Sequence, residues 1–331
     1  MCGIVGYVGD RDCADVLVDA LSKLEYRGYD SAGIAVVEKG VIKVEKCKGR
    51  LANLVDKMAV DGKPQGHCGI GHTRWATHGE PSDINSHPHG NKRVSIVHNG
   101  IIENYKQIKD FLIEEGYSFV SETDTETVAK LLDYYYVDDP VDTIIKVLSE
   151  IKGSYALGIM FRDYPDTVFA VRKECPLIVG VGENENFLAS DVPAIIKYTR
   201  DYYLLEANEI AVVKKDSVQI YDMHKEPVHK EINTADWDVD AAEKGGYEHF
   251  MLKEIHEQPA AVRDTVSPRI INGMPDLSQD GVDMQKLKDY RQIFIVACGT
   301  AMHAGMVGKY VIEKLARKPV IVDIASEFRY R

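Results

Sequence analysis

The spacing of apolar residues changes along the chain, and this change constrains the fold more than any other feature of the sequence. Up to Tyr221, short alternating apolar stretches typical of antiparallel strands are separated by single helical patterns. From Gln292, the continuous apolar run IFIVACG leads into a helical stretch that is followed by a second apolar run, PVIVDIA. Two such runs joined by one helix predict a βαβ unit of a buried parallel sheet. The chain therefore contains two different sheet architectures.

These two patterns predict separate domains within 331 residues, a length that exceeds the usual size of one domain. We expect a first domain over residues 1–221, a linker with a helix interrupted at Pro259 over residues 222–285, and the start of a second domain over residues 286–331. The first is expected to be α+β, with stacked antiparallel sheets covered by helices. The second is expected to be the beginning of a doubly wound α/β domain, cut short because such sheets contain more strands.

The composition excludes several classes of protein. A content of 45% hydrophobic and 28% charged residues is that of a globular chain and not of a disordered one. The net charge of −12 disfavours binding to nucleic-acid phosphates and to anionic membranes, and no run approaches the roughly 20 apolar residues of a membrane span. The six cysteines form no CxxC pair, which is typical of a reducing compartment. We therefore expect a cytoplasmic protein that binds no membrane, no nucleic acid and no metal.

Cys2 is the residue that most strongly suggests chemistry. Removal of Met1 would place a thiol and a free α-amine on the same residue. The pKa of an α-amine is about 8, close to that of a thiol, so the amine can act as the base that other cysteine enzymes obtain from a histidine. The alternative is that Cys2 merely begins a short buried strand.

A loop that follows the strand pattern CGIGHTRW contains further candidates. Arg74 offers a planar guanidinium suited to a carboxylate, or else forms a surface ion pair. Trp75 is either a flap over a pocket or a core aromatic residue. Six of the 11 histidines lie between His67 and His98, but their spacing matches no recognisable ligand set, so positions in a loop explain most of them better than a metal site.

Asn99, Gly100 and Asp124 each have a structural and a catalytic interpretation. Asn-Gly at the end of a strand is typical of a tight hairpin turn, but a helical pattern follows it here. The alternative is an oxyanion hole, in which the Asn99 amide and the Gly100 N–H stabilise a tetrahedral intermediate. Asp124 lies in SETDTETV, where Thr123 and Glu126 have the spacing of a capping box; alternatively, Asp124 pairs with a substrate ammonium. An Arg and an Asp together would recognise both charged groups of an amino acid while a thiol attacks its side-chain amide.

Taken together, these motifs resemble a known family. The segments MCGI (1–4), YRGYDSAGIAVV (26–37), GHTRWATHG (71–79), HNGIIEN (98–104) and SETDTE (121–126) are similar to the glutaminase domain of glutamine–fructose-6-phosphate aminotransferases, the isomerizing glucosamine-6-phosphate synthases. The segments YEHFMLKEIHEQP (247–259), ACGTAMHAG (297–305) and IASEFRYR (324–331) extend the resemblance over essentially the whole chain. The resemblance implies an N-terminal-nucleophile hydrolase fold, an αββα sandwich, followed by the first part of a sugar isomerase domain.

The resemblance also implies roles for individual residues. Cys2 is the expected nucleophile, with its own amine as base, and Asn99 and Gly100 are the expected oxyanion hole. The positions that bind glutamine in the family correspond to Arg74, Thr77, His78 and Asp124. The positions that gate and close the site correspond to Trp75 and Arg27. The sugar-phosphate positions correspond to Gly299 and Thr300, with the neighbouring Cys298.

The implied function is that of a class II glutamine amidotransferase, which hydrolyses L-glutamine to glutamate and ammonia without a cofactor. In complete members of the family, the ammonia converts D-fructose 6-phosphate into D-glucosamine 6-phosphate for amino-sugar biosynthesis, and the protein is a homodimer. Ala301 departs from the family pattern, which usually has Ser at this position. Three alternatives stay open: a non-catalytic sugar-phosphate-binding or interaction protein, another class II amidotransferase, and a metal hydrolase that uses the histidines.

Overall fold

The computed structural model describes residues 2–235, 247–283, 286, 289–328 and 330. The chain divides into two compact units, Met1–Glu243 and Lys244–Arg331. The three-part division predicted from the sequence stays a prediction about domain limits. Residues beyond Tyr221 nevertheless contribute to a sheet of the first unit, because Asn233–Thr234 pairs with the strand Asp201–Leu204.

The first unit begins with strands separated by single helices, continues with three consecutive helices and ends with a series of strands. Its strands are β1 (Gly3–Val8), β2 (Ser31–Glu38), β3 (Val41–Lys48), β4 (Cys68–Arg74), β5 (His89–Gly90), β6 (Val94–Ile102), β7 (Gly153–Phe161), β8 (Val168–Lys173), β9 (Ile178–Val181), β10 (Asn186–Ala189), β11 (Asp201–Leu204), β12 (Ile210–Val213), β13 (Val218–Tyr221) and β14 (Asn233–Thr234). Its α-helices are α1 (Cys13–Ser22), α2 (Leu51–Asp61), α3 (Tyr105–Glu114), α4 (Asp124–Tyr135) and α5 (Pro140–Glu150). Short 3₁₀ turns occur at Glu25–Arg27 and Val192–Ala194.

In the described part of this unit, the strands form two large antiparallel sheets. One has the strand order β14-β11-β9-β10-β1-β4-β2-β3 and the other the order β13-β12-β8-β7-β6-β5. The two sheets share an apolar core that includes Ile4, Ile70, Val97 and Leu188. Helices α1 and α2 pack on the outer face of the first sheet, and α3, α4 and α5 pack on the outer face of the second. This arrangement is an αββα sandwich, so the predicted α+β fold is confirmed.

Strand β1 shows why the sequence folds in this way. Ile4 and Val8 contribute to the core between the two sheets, whereas Val5 and Tyr7 contribute to the core under α1 and α2. A strand that is buried on both faces is continuously apolar and does not alternate with polar residues. The central position of β1 holds Cys2, which directly precedes it, at one end of the sandwich.

The hairpin between β2 and β3 turns at Lys39 and Gly40, because Glu38 pairs with Val41. Both turn residues have a positive φ, 50° at Lys39 and 77° at Gly40. A two-residue turn of this kind matches the twist of the flanking strands and favours glycine.

The second unit is smaller. It contains α6 (Phe250–Val266), β15 (Ile270–Ile271), β16 (Met274–Pro275), β17 (Ile293–Ala297), α7 (Gly299–Ala316), β18 (Val320–Ile324) and α8 (Ala325–Phe328), with 3₁₀ turns at Ser267–Arg269 and Ser278–Asp280. Strands β17 and β18 are parallel, in a register that runs from Ile293 opposite Val320 to Ala297 opposite Ile324, and α7 connects them. The predicted βαβ unit is confirmed. Among the described residues, no helix is both long enough and apolar enough to cross a membrane.

The predicted interruption at Pro259 is wrong, since α6 continues through this residue. A proline inside a helix removes one backbone hydrogen bond, here the one to the carbonyl of Ile255. Both residues are exposed, so water can satisfy that carbonyl and the helix does not need to end.

Candidate active site

A cavity of about 290 Å³ in the first unit collects the residues that the sequence singled out. This volume suits a molecule the size of an amino acid. Every candidate of the first unit lines the cavity, namely Cys2, Arg27, Arg74, Trp75, Thr77, His78, Asn99, Gly100 and Asp124. They come from five separate segments: the residue before β1, the turn before β2, the end of β4 with its loop, the second half of β6, and the start of α4.

Cys2 is placed by the pairing of β1 with β4. Gly3 lies opposite Thr73, so the residues that precede and follow these two, Cys2 and Arg74, are brought together. The Cys2 Sγ accepts a hydrogen bond from the Trp75 N–H at 3.2 Å. Burial raises the pKa of the Cys2 thiol above its ordinary value, although the Trp75 N–H and the Arg74 charge oppose this shift. The resting thiol is therefore protonated at neutral pH and needs a base to become a nucleophile.

Asn99 and Gly100 lie within β6 and not in a turn. Gly100 pairs with Tyr155 and Asn99 pairs with Ala156 of β7, so the hairpin-turn interpretation is wrong. The Asn99 Nδ2 donates to the Cys2 carbonyl oxygen at 3.0 Å, which directs the amide towards the thiol residue. Gly100 has a φ of 126°, and a Cβ at this position would lie 2.1 Å from the Ser154 carbonyl oxygen. Both the backbone conformation and the available space thus require glycine.

Arg74 is buried, and among the described residues it forms no ion pair, so the surface ion-pair interpretation is wrong. Its Nη2 donates to the carbonyl oxygens of His78 and Gly79, which holds the loop after β4 against the guanidinium. The Nη1 is also buried and has no hydrogen-bond partner in the described part of the chain. A buried N–H group of a charged side chain without a partner is costly. Because Arg74 lines the cavity, an anionic ligand group would supply the missing acceptor.

Asp124 is the first residue of α4 and is buried. Its Oδ2 accepts from the Ile102 N–H at 2.8 Å, which joins the start of α4 to the end of β6. The capping interpretation holds for its neighbour, because the Thr123 side chain accepts from the Glu126 N–H at 3.3 Å. The Glu126 carboxylate in turn accepts from the backbone of the residues before the cap. Asp124 thus has a structural contact and also lines the cavity.

Trp75 and Arg27 lie at the cavity in different ways. The Trp75 side chain is 50% exposed and contacts Tyr29 edge-on at a ring distance of 5.5 Å, so the core interpretation is wrong. Arg27 is buried; its Nε donates to the Cys2 carbonyl oxygen at 3.2 Å and its Nη1 to Asp191 at 2.7 Å. Arg27 therefore fastens the backbone of the thiol residue to the turn before β2.

His78 and Thr77 belong to the loop that Arg74 holds. The His78 Nδ1 lies 3.4 Å from the Thr77 Oγ1, and the His78 ring contacts Tyr105 of α3 edge-on at 5.4 Å. Both side chains line the cavity, which agrees with their expected position.

The interpretation of most histidines as loop residues holds for only three of the six, because His72, His89 and His98 lie on strands. These three and His87 are buried. His87 and His98 both reach the Thr125 Oγ1, at 2.8 and 2.9 Å. Burial is the main cause that lowers the pKa of each of the four, for His72 to about 3. These rings are neutral at pH 7. In the described part of the chain, no group of three or more His, Cys, Asp or Glu side chains has an arrangement that could hold a metal ion.

Sequence reasoning missed this layer of histidines and the threonines that contact them. Three of the four lie on strands: His72 within β4, His89 at the start of β5 and His98 within β6. The signal that was available is their position inside otherwise apolar strand patterns, where a polar residue must find a buried partner.

In the second unit, Gly299 and Thr300 begin α7, and Cys298 is the residue before it. All three are exposed. The N–H groups of a first helical turn can bind an anion, but an ordinary strand-to-helix turn has the same geometry.

Comparison with known proteins agrees with this fold. Residues 72–197 match the family described as a glutamine amidotransferase domain, and residues 286–331 match the SIS domain. In solved structures, the fold is similar to a glutamine phosphoribosylpyrophosphate amidotransferase from B. subtilis, with a TM-score of 0.62 and 18% identity over 97% of this chain and 65% of that one. A second similar structure is the allosteric regulatory enzyme of purine biosynthesis, with a TM-score of 0.60 and 24% identity over 67% of this chain and 49% of that one.

The fold and the cavity together define a glutamine amidotransferase domain with the N-terminal-nucleophile fold. Over its whole length, the chain is similar to part of proteins named glutamine–fructose-6-phosphate aminotransferase, as the sequence motifs predicted. It is 58% identical to the isomerizing member of Caldanaerobacter subterraneus subsp. tengcongensis, and the match covers 100% of this chain and 55% of that protein. It is 49% identical to the member of Aquifex aeolicus, with the same coverage. The chain thus spans about half the length of the curated relatives that it matches.

Proposed function

We propose that this chain hydrolyses L-glutamine to glutamate and ammonia in the cavity at Cys2. The observation that carries the proposal is that the Arg74 Nη1, buried and without a partner among the described residues, belongs to the same cavity as the Cys2 thiol. Arg74 would bind the glutamine α-carboxylate, and Asp124 would bind the α-ammonium. With both charged groups of glutamine bound by Arg74 and Asp124, its side-chain amide would face the Cys2 thiol.

The chemistry follows from the groups around Cys2. Once Met1 is removed, the free α-amine of Cys2 accepts the thiol proton, and the thiolate attacks the amide carbon of glutamine. The Asn99 amide and the Gly100 N–H stabilise the oxyanion of the tetrahedral intermediate. The proton passes to the departing ammonia, and a thioester remains. Water then attacks the thioester, glutamate leaves, and the thiol is regenerated.

The activity of the whole protein is a further part of the proposal. In the whole protein, the ammonia would convert D-fructose 6-phosphate to D-glucosamine 6-phosphate. The whole protein would be a homodimer in the cytoplasm. The relatives' printed name and the SIS match over residues 286–331 support this assignment. Gly299 and Thr300 would contribute N–H groups to the sugar phosphate. Trp75 would gate the passage of ammonia, and Arg27 would keep the nucleophile in place.

The test is glutamate release from L-glutamine by the purified chain, with its intact mass measured in the same preparation. With Met1 removed, we expect glutamate release that Cys2→Ala abolishes. The matched control is Cys47→Ala, since Cys47 is a buried cysteine of β3 outside the cavity and its replacement should leave turnover intact. If Cys2→Ala retains activity, the proposal is wrong. If a preparation without Met1 releases no glutamate even when fructose 6-phosphate is added, the proposal is also wrong.

A further inference from the structure

His72 lies directly behind the expected oxyanion hole. It is a fully buried residue of β4, and its Nε2 is 3.0 Å from the Asn99 Oδ1. The same Nε2 is 3.0 Å from the His98 carbonyl oxygen, one residue before Asn99 in β6. His72 therefore contacts both the side chain of Asn99 and the strand that bears it. It does not line the cavity itself.

The chemistry of the neighbours decides where the hydrogens lie. The Cys2 carbonyl oxygen can only accept, so the Asn99 group 3.0 Å from it must be the donor Nδ2. The Asn99 Oδ1 must then face His72. The His72 Nε2 consequently faces two acceptors, the Asn99 Oδ1 and the His98 carbonyl oxygen, and must carry a hydrogen.

The other nitrogen of the ring supports this assignment. The His72 Nδ1 is buried and has no hydrogen-bond partner in the described part of the chain. Burial also lowers the pKa of His72 to about 3, so the ring is neutral and carries a single hydrogen. That hydrogen is at Nε2. An apolar side chain at this position would avoid the cost of an unpartnered Nδ1. A histidine provides what an apolar side chain lacks, a hydrogen-bond donor to Asn99.

We propose that His72 is a positioning residue for glutamine hydrolysis: its Nε2–H holds the Asn99 amide with Nδ2 towards Cys2. Without this donor, the Asn99 amide can rotate and present its oxygen to the oxyanion, which repels it. One hydrogen of Nδ2 binds the Cys2 carbonyl oxygen, and the second stays directed to the developing charge. The proposal rests on the proposed glutaminase function, since it assigns a purpose to Asn99 in that reaction.

The first test does not depend on activity. ¹⁵N NMR of the full chain, with the His72 signals assigned by their loss in His72→Gln, reports which ring nitrogen carries the hydrogen. We expect a neutral ring protonated at Nε2, unchanged between about pH 8 and about pH 6. Protonation at Nδ1 would overturn the proposal even if the chain releases glutamate. Conversely, a chain that releases no glutamate but shows the Nε2–H form would contradict the proposed function and leave the geometry of His72 intact.

The second test is kinetic and compares His72→Phe, which removes the donor, with His72→Gln, whose amide nitrogen can replace Nε2. We expect His72→Phe to lower kcat for glutamate release by about 10- to 100-fold, less than or comparable to the loss of an oxyanion donor. The KM for glutamine should change by less than about twofold, because Arg74 and Asp124 are untouched. His72→Gln should recover most of the loss. Alkylation of Cys2 by iodoacetamide, which forms no oxyanion, should keep its rate in both variants.

Combination with Asn99→Ala completes the test. If His72 acts through Asn99, His72→Phe added to Asn99→Ala should have no further effect on kcat. Multiplied losses in the double variant would overturn the proposal, as would an equal loss of Cys2 alkylation. Should His72→Phe fail to fold, His72→Leu, which also lacks the donor, replaces it in the same comparisons. A folded and alkylatable His72→Leu variant with the kcat of the parent would overturn the proposal.

Discussion

At the scale of single residues, the polar groups of the cavity divide into those that the protein already partners and those that it leaves to a ligand. Asn99 and Arg27 both donate to the Cys2 carbonyl oxygen, and Asp124 accepts from the Ile102 N–H. Arg74 uses one guanidinium nitrogen for the loop after β4 and leaves Nη1 without a partner among the described residues. The contrast identifies Arg74 as the residue whose replacement should most directly weaken substrate binding.

Arg74→Lys should raise the KM for glutamine by about 10- to 100-fold, because hydrogen bonds to charged groups contribute about 1.5–3 kcal/mol. Lysine keeps the charge but lacks the planar fork. Because lysine can still donate to the His78 or Gly79 carbonyl oxygen, kcat should fall less than KM rises. Initial rates over a range of glutamine concentrations measure both quantities. An unchanged KM would show that Arg74 serves only the loop.

Sequence reasoning identified this cavity well at the residue scale. All nine candidates of the first unit line it. Residue type and sequence pattern suggested six of them, and the family resemblance of the motifs implied the other three, Arg27, Thr77 and His78. Sequence reasoning did not identify His72, His98 or Thr125. Their positions depend on which faces of β4, β6 and α4 meet, and the linear sequence does not contain that pairing.

At the scale of elements, the start of α4 combines helix capping with the site. Thr123 caps α4, and its Oγ1 also lies 3.2 Å from the His89 Nε2. Asp139 caps α5 in the same manner, through the N–H groups of Val141 and Asp142. Of these two caps, only that of α4 borders the cavity. Asp139 can therefore serve as the control for Thr123.

Thr123→Ala and Asp139→Ala should each lower the free energy of unfolding by about 1 kcal/mol, the usual loss for a helix cap. Only Thr123→Ala should also raise the KM for glutamine, because it releases the turn that holds Asp124. Urea unfolding and glutamate release measure the two effects. A Thr123→Ala variant that is destabilised but keeps its KM would show that the cap stabilises α4 without affecting glutamine binding.

The buried histidines make a second prediction at this scale, because they join β4, β5, β6 and the segment before β5 to α4. Burial lowers the pKa of His72, His87, His89 and His98 in the folded protein, whereas each has a pKa of about 6.5 when unfolded. Below that pH, the unfolded chain binds more protons than the folded one. The free energy of unfolding should therefore fall as pH decreases below about 6.5, by up to about 5 kcal/mol per pH unit if all four histidines contribute.

Urea midpoints at about pH 7.5, 6.5 and 5.5 test this expectation, since carboxylates titrate mainly below about pH 5. His224→Gln is the control, because His224 lies on an exposed turn and its replacement should leave the trend intact. A midpoint that does not change over this range would contradict the neutral buried state of the four rings.

Sequence reasoning missed two helices, one with a clear start signal and one without. Helix α5 begins with Pro140 at its first position after the Asp139 cap, a combination typical of a helix start. Helix α2 was also missed; it lacks a side-chain cap and buries only Leu51, Leu54 and Met58. A narrow apolar face without a cap is hard to distinguish from a loop.

At the scale of the whole molecule, the second unit exposes many large apolar side chains. Val307, Tyr310 and Leu315 of α7 are 64%, 71% and 76% exposed, and Phe294 of β17 is 53% exposed. Large apolar side chains exposed in such numbers favour association.

We expect the 331-residue chain to associate reversibly as its concentration rises, because association removes this surface from water. The double variant Tyr310→Lys and Leu315→Glu should shift the transition to higher concentration. Val60→Glu is the control, since Val60 is an exposed apolar residue of α2 in the first unit. Light scattering over a concentration series measures the effect; a parent chain that stays monomeric would contradict the expectation.

Local patterns in the sequence by themselves determined the strand and helix types, the βαβ unit and the identity of the residues around Cys2. These features depend on residues close together in the chain, such as the turn Lys39-Gly40 and the cap Thr123. Tertiary structure alone decided that Asn99 and Gly100 lie within a strand, that the Arg74 Nη1 is buried without a partner among the described residues, and that His72 meets Asn99. The pairing of Asn99 with Ala156 and the contact of His72 with Asn99 join residues 57 and 27 positions apart in the chain. The packing of the two sheets, together with the partner available to each buried polar group, selects such contacts.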